Sequence, residues 1–290
     1  MSRALRAYLD TNVFIEWDTV PGRDEERFVA ALRNGSLVAP PSLAEIEEIL
    51  GSFEQKREEA IRPLITLRRL VGFHGMLKTP PTILEESIVA YANETLAPAV
   101  ALPEAQRANI VRSLTEVLAG STQYDAKAVA VVADVRKIKD QWRETMLERQ
   151  ARATAKAKAE GLYKAPPPPF PVFWHKPALS LAEAFAEKHG CSPAAQRRGL
   201  EGLLDSRPVR LGIGVVLSQI YSQLVPSTSR PQVRVPRRSD GYDVWHAILA
   251  GTADVFVTFD DRLAEHVEQI PEITGFRVVT SLGELLDLLP

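Results

Sequence analysis

The stretch Tyr242–Leu263, YDVWHAILAGTADVFVTFDDRL, limits the folds open to this chain more than any other. Asp243 to Ala250 reads as a short apolar helix and Gly251-Thr252 as a turn. Val255-Phe256-Val257-Thr258 is too short and too rich in β-formers for anything but a buried strand. Asp243 shares a helical face with Ala247 and Ala250, so small side chains let that face lie close on a sheet with the carboxylate at its edge. Asp260 and Asp261 leave the C-terminal end of the strand, where open α/β sheets place their ligands. Singly, an Asp in a first helical turn serves the helix dipole and the free amides, and Asp-Asp after a strand is a solvated turn. Partners elsewhere in the chain decide between these readings.

The N-terminus offers one. Ala4 to Leu9 is a short strand that runs into Asp10-Thr11-Asn12 and then Val13-Phe14-Ile15, a strand-to-helix junction with a carboxylate on the sheet edge. Thr11 and Asn12 can cap that helix and orient Asp10. A charged helix over Asp24–Asn34 stops at Gly35, and Ser36–Ala39 is a second strand closed by Pro40-Pro41. Ser42 begins the helix SLAEIEEILGSF. Ser42 with Glu45 is a capping box, which by itself accounts for Glu45. Alternatively Glu45 points to the edge that carries Asp10, with Glu48 one turn further on the same face.

A chain of 290 residues, 45% hydrophobic and 25% charged, can bury a core and has room for two domains. Its single Cys191 excludes a disulfide framework and reads as a small hydrophobe. No segment has the length of a signal peptide's apolar stretch or of a membrane span, so a cytoplasmic protein with no membrane partner is expected. There is no Gly-x-Ser-x-Gly, no phosphate-binding glycine loop and no zinc spacing of His and Cys. His246, one turn from Asp243, reads as a core or supporting histidine. The net charge of −2 hides a split. Residues 1–54 carry 5 Lys and Arg against 10 Asp and Glu and residues 240–290 carry 2 against 10, whereas residues 55–239 carry 28 against 17. Acidic ends and a basic centre suggest cations held by the ends and an anionic partner held by the centre.

The centre is helical by its spacing: Glu54–Phe73, Thr82–Leu96, Pro103–Leu118, and one long helix over Asp125–Glu160. The last part of that helix, RQARATAKAKAE, has almost no large apolar residues, so it is solvent-exposed, frayed or ordered on a partner. Pro166–Pro169 is a stiff linker, docked by Phe170, Phe173 and Trp174. Helices follow at Leu179–His189, Ala194–Leu204 and Leu211–Leu224, where Gly212 and Gly214 imply close packing. Pro226–Asp240 is an extended loop carrying Arg230, Arg234, Arg237 and Arg238. It is either a solvated linker or a phosphate contact.

Taken together, YLDTNVF, PPSLAEIEEIL and DVWHAILAGTADVFVTFDD resemble the PIN-domain nucleases. The resemblance implies an α/β, three-layer PIN-like fold with a central parallel sheet built from residues 1–54 and 240–290, interrupted by a mostly α-helical insertion over 55–239. It implies that Asp10, Glu45, Asp243 and Asp260 converge on divalent metal, supported by Thr11, Asn12 and Thr258. Asp240, Asp254 and Asp261 are further acids beside the third and fourth positions. Four crowded carboxylates stay ionised only beside a compensating cation, and all-oxygen ligands suit Mg²⁺ or Mn²⁺. The activity implied is a metal-dependent endoribonuclease, whose RNA is held outside the acidic pocket by Lys156, Lys158 and the four loop arginines. A toxin-type ribonuclease with an antitoxin and a non-catalytic nucleic-acid-binding module are the alternatives. The insertion is compatible with a protein partner or with a homo-oligomer.

Overall fold

The structure, a computed structural model, describes residues 3–51, 56–159, 168–224, 235–237, 239–271 and 273–289, with the side chains of 150, 153, 154 and 156–159 excepted. Four strands, β1 (Leu5–Leu9), β2 (Leu37–Val38), β3 (Val255–Val257) and β4 (Arg277–Val279), form one parallel sheet in the order β2-β1-β3-β4. The two ends of the chain thus meet at its centre. Leu9 lies opposite Val257, so β1 and β3 finish at the same level.

Side chains alternate across this sheet, and each face carries its own core. Ala7, Leu9, Val255, Val257 and Val279 join one, with Phe14, Phe28, Ile46, Leu64 and Leu67. Tyr8, Phe256 and Val278 join the other, with Leu217, Ala247 and Leu249. On the first side lie α1 (Thr11–Ile15), α2 (Gly22–Arg33), α3 (Leu43–Leu50), α4 (Arg57–Leu70), α6 (Glu104–Leu118) and α14 (Leu282–Leu286). On the second lie α5 (Pro80–Ala92), α8 (Phe170–Lys188), α9 (Ser192–Arg198), α10 (Leu200–Leu203), α11 (Arg207–Leu224), α12 (Asp240–Ala250) and α13 (Asp261–Glu268). The long α7 (Thr122–Ala159) gives Ala128 and Val132 to the first core and Trp142 to the second. Helices from the 55–239 interval therefore build both layers.

Several elements differ from their expected bounds for clear reasons. Helix α8 begins at Phe170 rather than Leu179: Pro169 is its N-cap and Pro171 lies in its first turn, where a missing N–H costs nothing. Phe170 and Phe173 then pack on Tyr221, with ring centroids at 5.4 and 5.3 Å. The expected Ala194–Leu204 helix breaks into α9 and α10 at Gly199, whose φ of 97° is a glycine conformation. Gly212 and Gly214 do mark close packing: a Cβ would meet Ile248 at 2.7 Å and Ile270 at 2.3 Å. Pro166 and Pro167, Arg230, Arg234 and Arg238, and the side chains of Lys156 and Lys158 lie outside the described residues. Arg237 is exposed, and its backbone N–H donates to Asp240 Oδ2 at 3.0 Å. Among the described residues no helix is long and apolar enough to cross a membrane.

Candidate functional site

Because β1 and β3 end level, the residues that follow them meet. Asp10 extends the ladder by donating its backbone N–H to Val257 O at 2.8 Å and then N-caps α1, accepting from Thr11 N at 2.7 Å. The Thr258 hydroxyl donates to Asp10 Oδ2 at 2.8 Å and accepts from Asp260 N at 3.1 Å. Asn12 Nδ2 reaches the same Asp10 oxygen at 3.4 Å. A hydroxyl, an amide and a helix N-terminus thus fix the Asp10 carboxylate, which is 2% exposed.

Helix α12 crosses this edge and presents His246, also 2% exposed. Its Nε2 lies 2.9 Å from Glu48 Oε2, 3.3 Å from Thr11 Oγ1 and 3.5 Å from Asp10 Oδ1, while Nδ1 lies 2.7 Å from the Tyr8 hydroxyl. Burial alone would lower the imidazole pKa, but the Asp10 charge, the Glu48 hydrogen bond and the Glu48 and Glu45 charges push it up to about 9. Burial would raise Glu48, yet the His246 hydrogen bond and charge, with Lys139 and Thr11, bring it down to about 2. Both shifts describe one ion pair. Lys139 of α7 closes it from outside, with Nζ 3.2 Å from Glu48 Oε1. Asp10 is itself raised, first by burial and then by the Glu48 charge, against His246, Thr258 and Thr11.

The remaining acids fall into separate arrangements. Glu45 completes the capping box of α3, with Ser42 N donating to Oε2 at 2.7 Å and Ser42 Oγ accepting from Glu45 N at 3.2 Å. Its Oε1 is buried and meets no hydrogen-bond partner among the described residues, and burial raises the group to about 8. Asp260 N-caps α13, accepting from the Arg262 and Leu263 amides, and Arg262 Nη2 lies 3.4 Å from Asp260 Oδ2 and 3.8 Å from Asp243 Oδ2. Asp243 is buried, which raises it to about 7 against the Arg262 charge, with Asp240, Glu48 and Asp10 adding to the rise. Asp254 precedes β3 and pairs with Arg3 at the opposite edge of the sheet, and Asp261 is exposed. Asp240 is fully buried.

Of the four acids expected to share an ion, Asp10 stands with Glu48 and His246, Asp243 and Asp260 share Arg262, and Glu45 caps its helix. Among the described residues, Asp10, Glu48 and His246 are the group whose ligand atoms lie within 4.8 Å of one another, as a common metal requires. Two carboxylates and an imidazole suit a divalent transition ion once Nε2 gives up its proton. The capping box was the available signal for Glu48: it commits the Glu45 carboxylate to Ser42 and leaves the acid one turn on to face the sheet edge. Nothing in the local sequence ties Lys139 or Tyr8 to the cluster. None of the known protein families, curated proteins or solved structures compared with the chain matches it, and nothing among them identifies a PIN-domain family.

Proposed function

We propose that the chain is a metal-dependent nuclease of PIN-like fold that hydrolyses phosphodiester bonds, with Asp10, Glu48 and His246 as the residues that hold the cation. The observation that carries this reading is their convergence within 4.8 Å at the C-terminal edge of a parallel sheet, where α/β folds bind their ligands. The order of the three PIN-like motifs and the layers on both faces of the sheet support it.

The donor set favours Mn²⁺ over Mg²⁺, because imidazole is a poor partner for the harder ion. A divalent cation supplies Lewis-acid stabilisation of phosphoryl oxygens and acidifies water. The protein's own groups do the rest. Thr258 and the Thr11 amide hold Asp10 in one orientation, Tyr8 fixes the His246 ring through Nδ1, and Lys139 neutralises Glu48 from the outer side. Arg262 balances Asp243 and Asp260, which lowers the repulsion an incoming phosphate meets. RNA is the substrate favoured by the family resemblance.

The same internal cations support one other reading. His246, Lys139 and Arg262 together balance the acids without a metal, as a non-catalytic nucleic-acid-binding protein would require. Cleavage of defined single-stranded and double-stranded RNA and DNA across a Mn²⁺ titration separates the two. The nuclease reading expects Mn²⁺-dependent cleavage that EDTA abolishes and that Asp10→Asn reduces at least ~100-fold. Asn keeps the helix cap, so the variant's melting temperature should stay close to wild type. Binding with no cleavage at any Mn²⁺ concentration would leave the non-catalytic reading.

A further inference from the structure

Between α7 and α12, beside the acidic cluster, lies a cavity of about 260 Å³. Trp142, Tyr242 and Trp245 supply its rings, and Ile138, Lys139 and Gly241 complete its wall. We propose that this cavity binds one unpaired nucleobase of a single-stranded nucleic acid, next to the phosphate held at the Asp10–Glu48–His246 centre. The location of that phosphate rests on the nuclease reading; the base pocket itself does not.

Three observations carry it. Lys139 belongs to both places: its ammonium lies 3.2 Å from Glu48 Oε1 and 4.2 Å above the Tyr242 ring centroid, so pocket and centre share a wall. Helix α12 sets Tyr242 and Trp245 one turn apart with their rings at 4.8 Å, and the next residue is His246. Tyr242 is itself buried beneath Lys139, so the base stacks on the half-buried Trp142 and Trp245, the latter adjacent in sequence to a member of the cluster. Gly241 lets Trp142 lie directly on the α12 backbone, since a Cβ would meet its ring at 3.0 Å.

The cavity is smaller than a drug-sized site and of a size for one flat ring system. A base can enter it only when unpaired, because both faces of a paired base are already stacked. Aromatic walls with a cation beside them hold any base by its π-face, which gives strand selectivity without strong sequence preference. The exposed Gln141 and Thr145 at the rim add polar edges for modest discrimination.

The test is binding of a fluorescent 12-nucleotide single strand and its duplex to the full chain carrying Asp10→Asn, with and without Trp245→Ala. An abasic scan of the oligonucleotide reports the pocket from the ligand's side. The single strand is expected to bind more tightly than the duplex, one abasic position should weaken it about 10-fold or more, and Trp245→Ala should weaken the intact strand by a similar factor. Combined, the two losses should not multiply. Because Trp245 also packs on the core, Trp245→Phe is included and should restore most of the affinity. A flat abasic scan, or multiplying losses, would overturn the pocket, as would capture of a proline-rich peptide in its place. A wild-type protein that never cleaves but shows the abasic signature would sink the nuclease reading alone.

Discussion

Glu45 and Glu48 lie one turn apart on α3 yet meet different fates, because Ser42 claims the first. Gln can also close a capping box, so Glu45→Gln should keep the helix and its neighbours in place. It should also change the pH dependence of stability. Glu45 titrates near 8 in the folded protein against an ordinary 4.5, so the folded state holds its proton more tightly. The stability from that neutral carboxyl is complete below pH 4.5 and is lost as pH rises through 8, with a span of about 5 kcal/mol. Thermal melts from pH 5 to 8.5 should therefore fall less steeply for Glu45→Gln than for wild type. The decline owed to His246, raised from 6.5 to about 9, should remain in both. Equal slopes would mean that Glu45 is ionised in the fold. At this scale the positions of Asp10 and Thr258 were legible, since each directly follows a short strand, β1 or β3. The sequence could not say which carboxylate meets which cation, because Arg262, Lys139 and His246 reach the acids by tertiary packing.

Helix α12 positions both His246 and the aromatic wall, and its C-terminal end is held by a close approach. A Cβ on Gly251 would lie 2.5 Å from Pro208 N and 2.6 Å from its Cα, backbone atoms that cannot move alone. The φ of Gly251 is −59°, so the constraint is space and not conformation. Gly251→Ala should cost about 3 kcal/mol in urea denaturation, whereas Gly22→Ala, with nothing near its Cβ position, should cost little. Comparable losses would show that the α11–α12 contact is loose. The long α7 was legible because Ala, Lys, Arg and Glu over nearly forty residues admit little else. β4 was not: three residues, Arg277–Val279, are too few for a periodicity to show.

For the whole molecule, the charge split was readable by counting, but its spatial meaning was not. The basic interval does not stand apart; its helices cover both faces of a sheet made by the acidic ends, and α7 brings Lys139 to the edge where those ends meet. Nucleic-acid affinity carried by that interval should fall about 10-fold or more between 50 and 200 mM salt. A salt-independent affinity would remove the basic centre from the binding surface.

The central claim is that Asp10, Glu48 and His246 form one divalent-metal site, and Mn²⁺ binding followed by electron paramagnetic resonance addresses it without reference to any substrate. Wild type and Glu45→Gln should each bind Mn²⁺, while Glu48→Gln should bind it at least ~10-fold more weakly. Unchanged Mn²⁺ affinity in Glu48→Gln, or loss of binding in Glu45→Gln alone, would contradict the assignment.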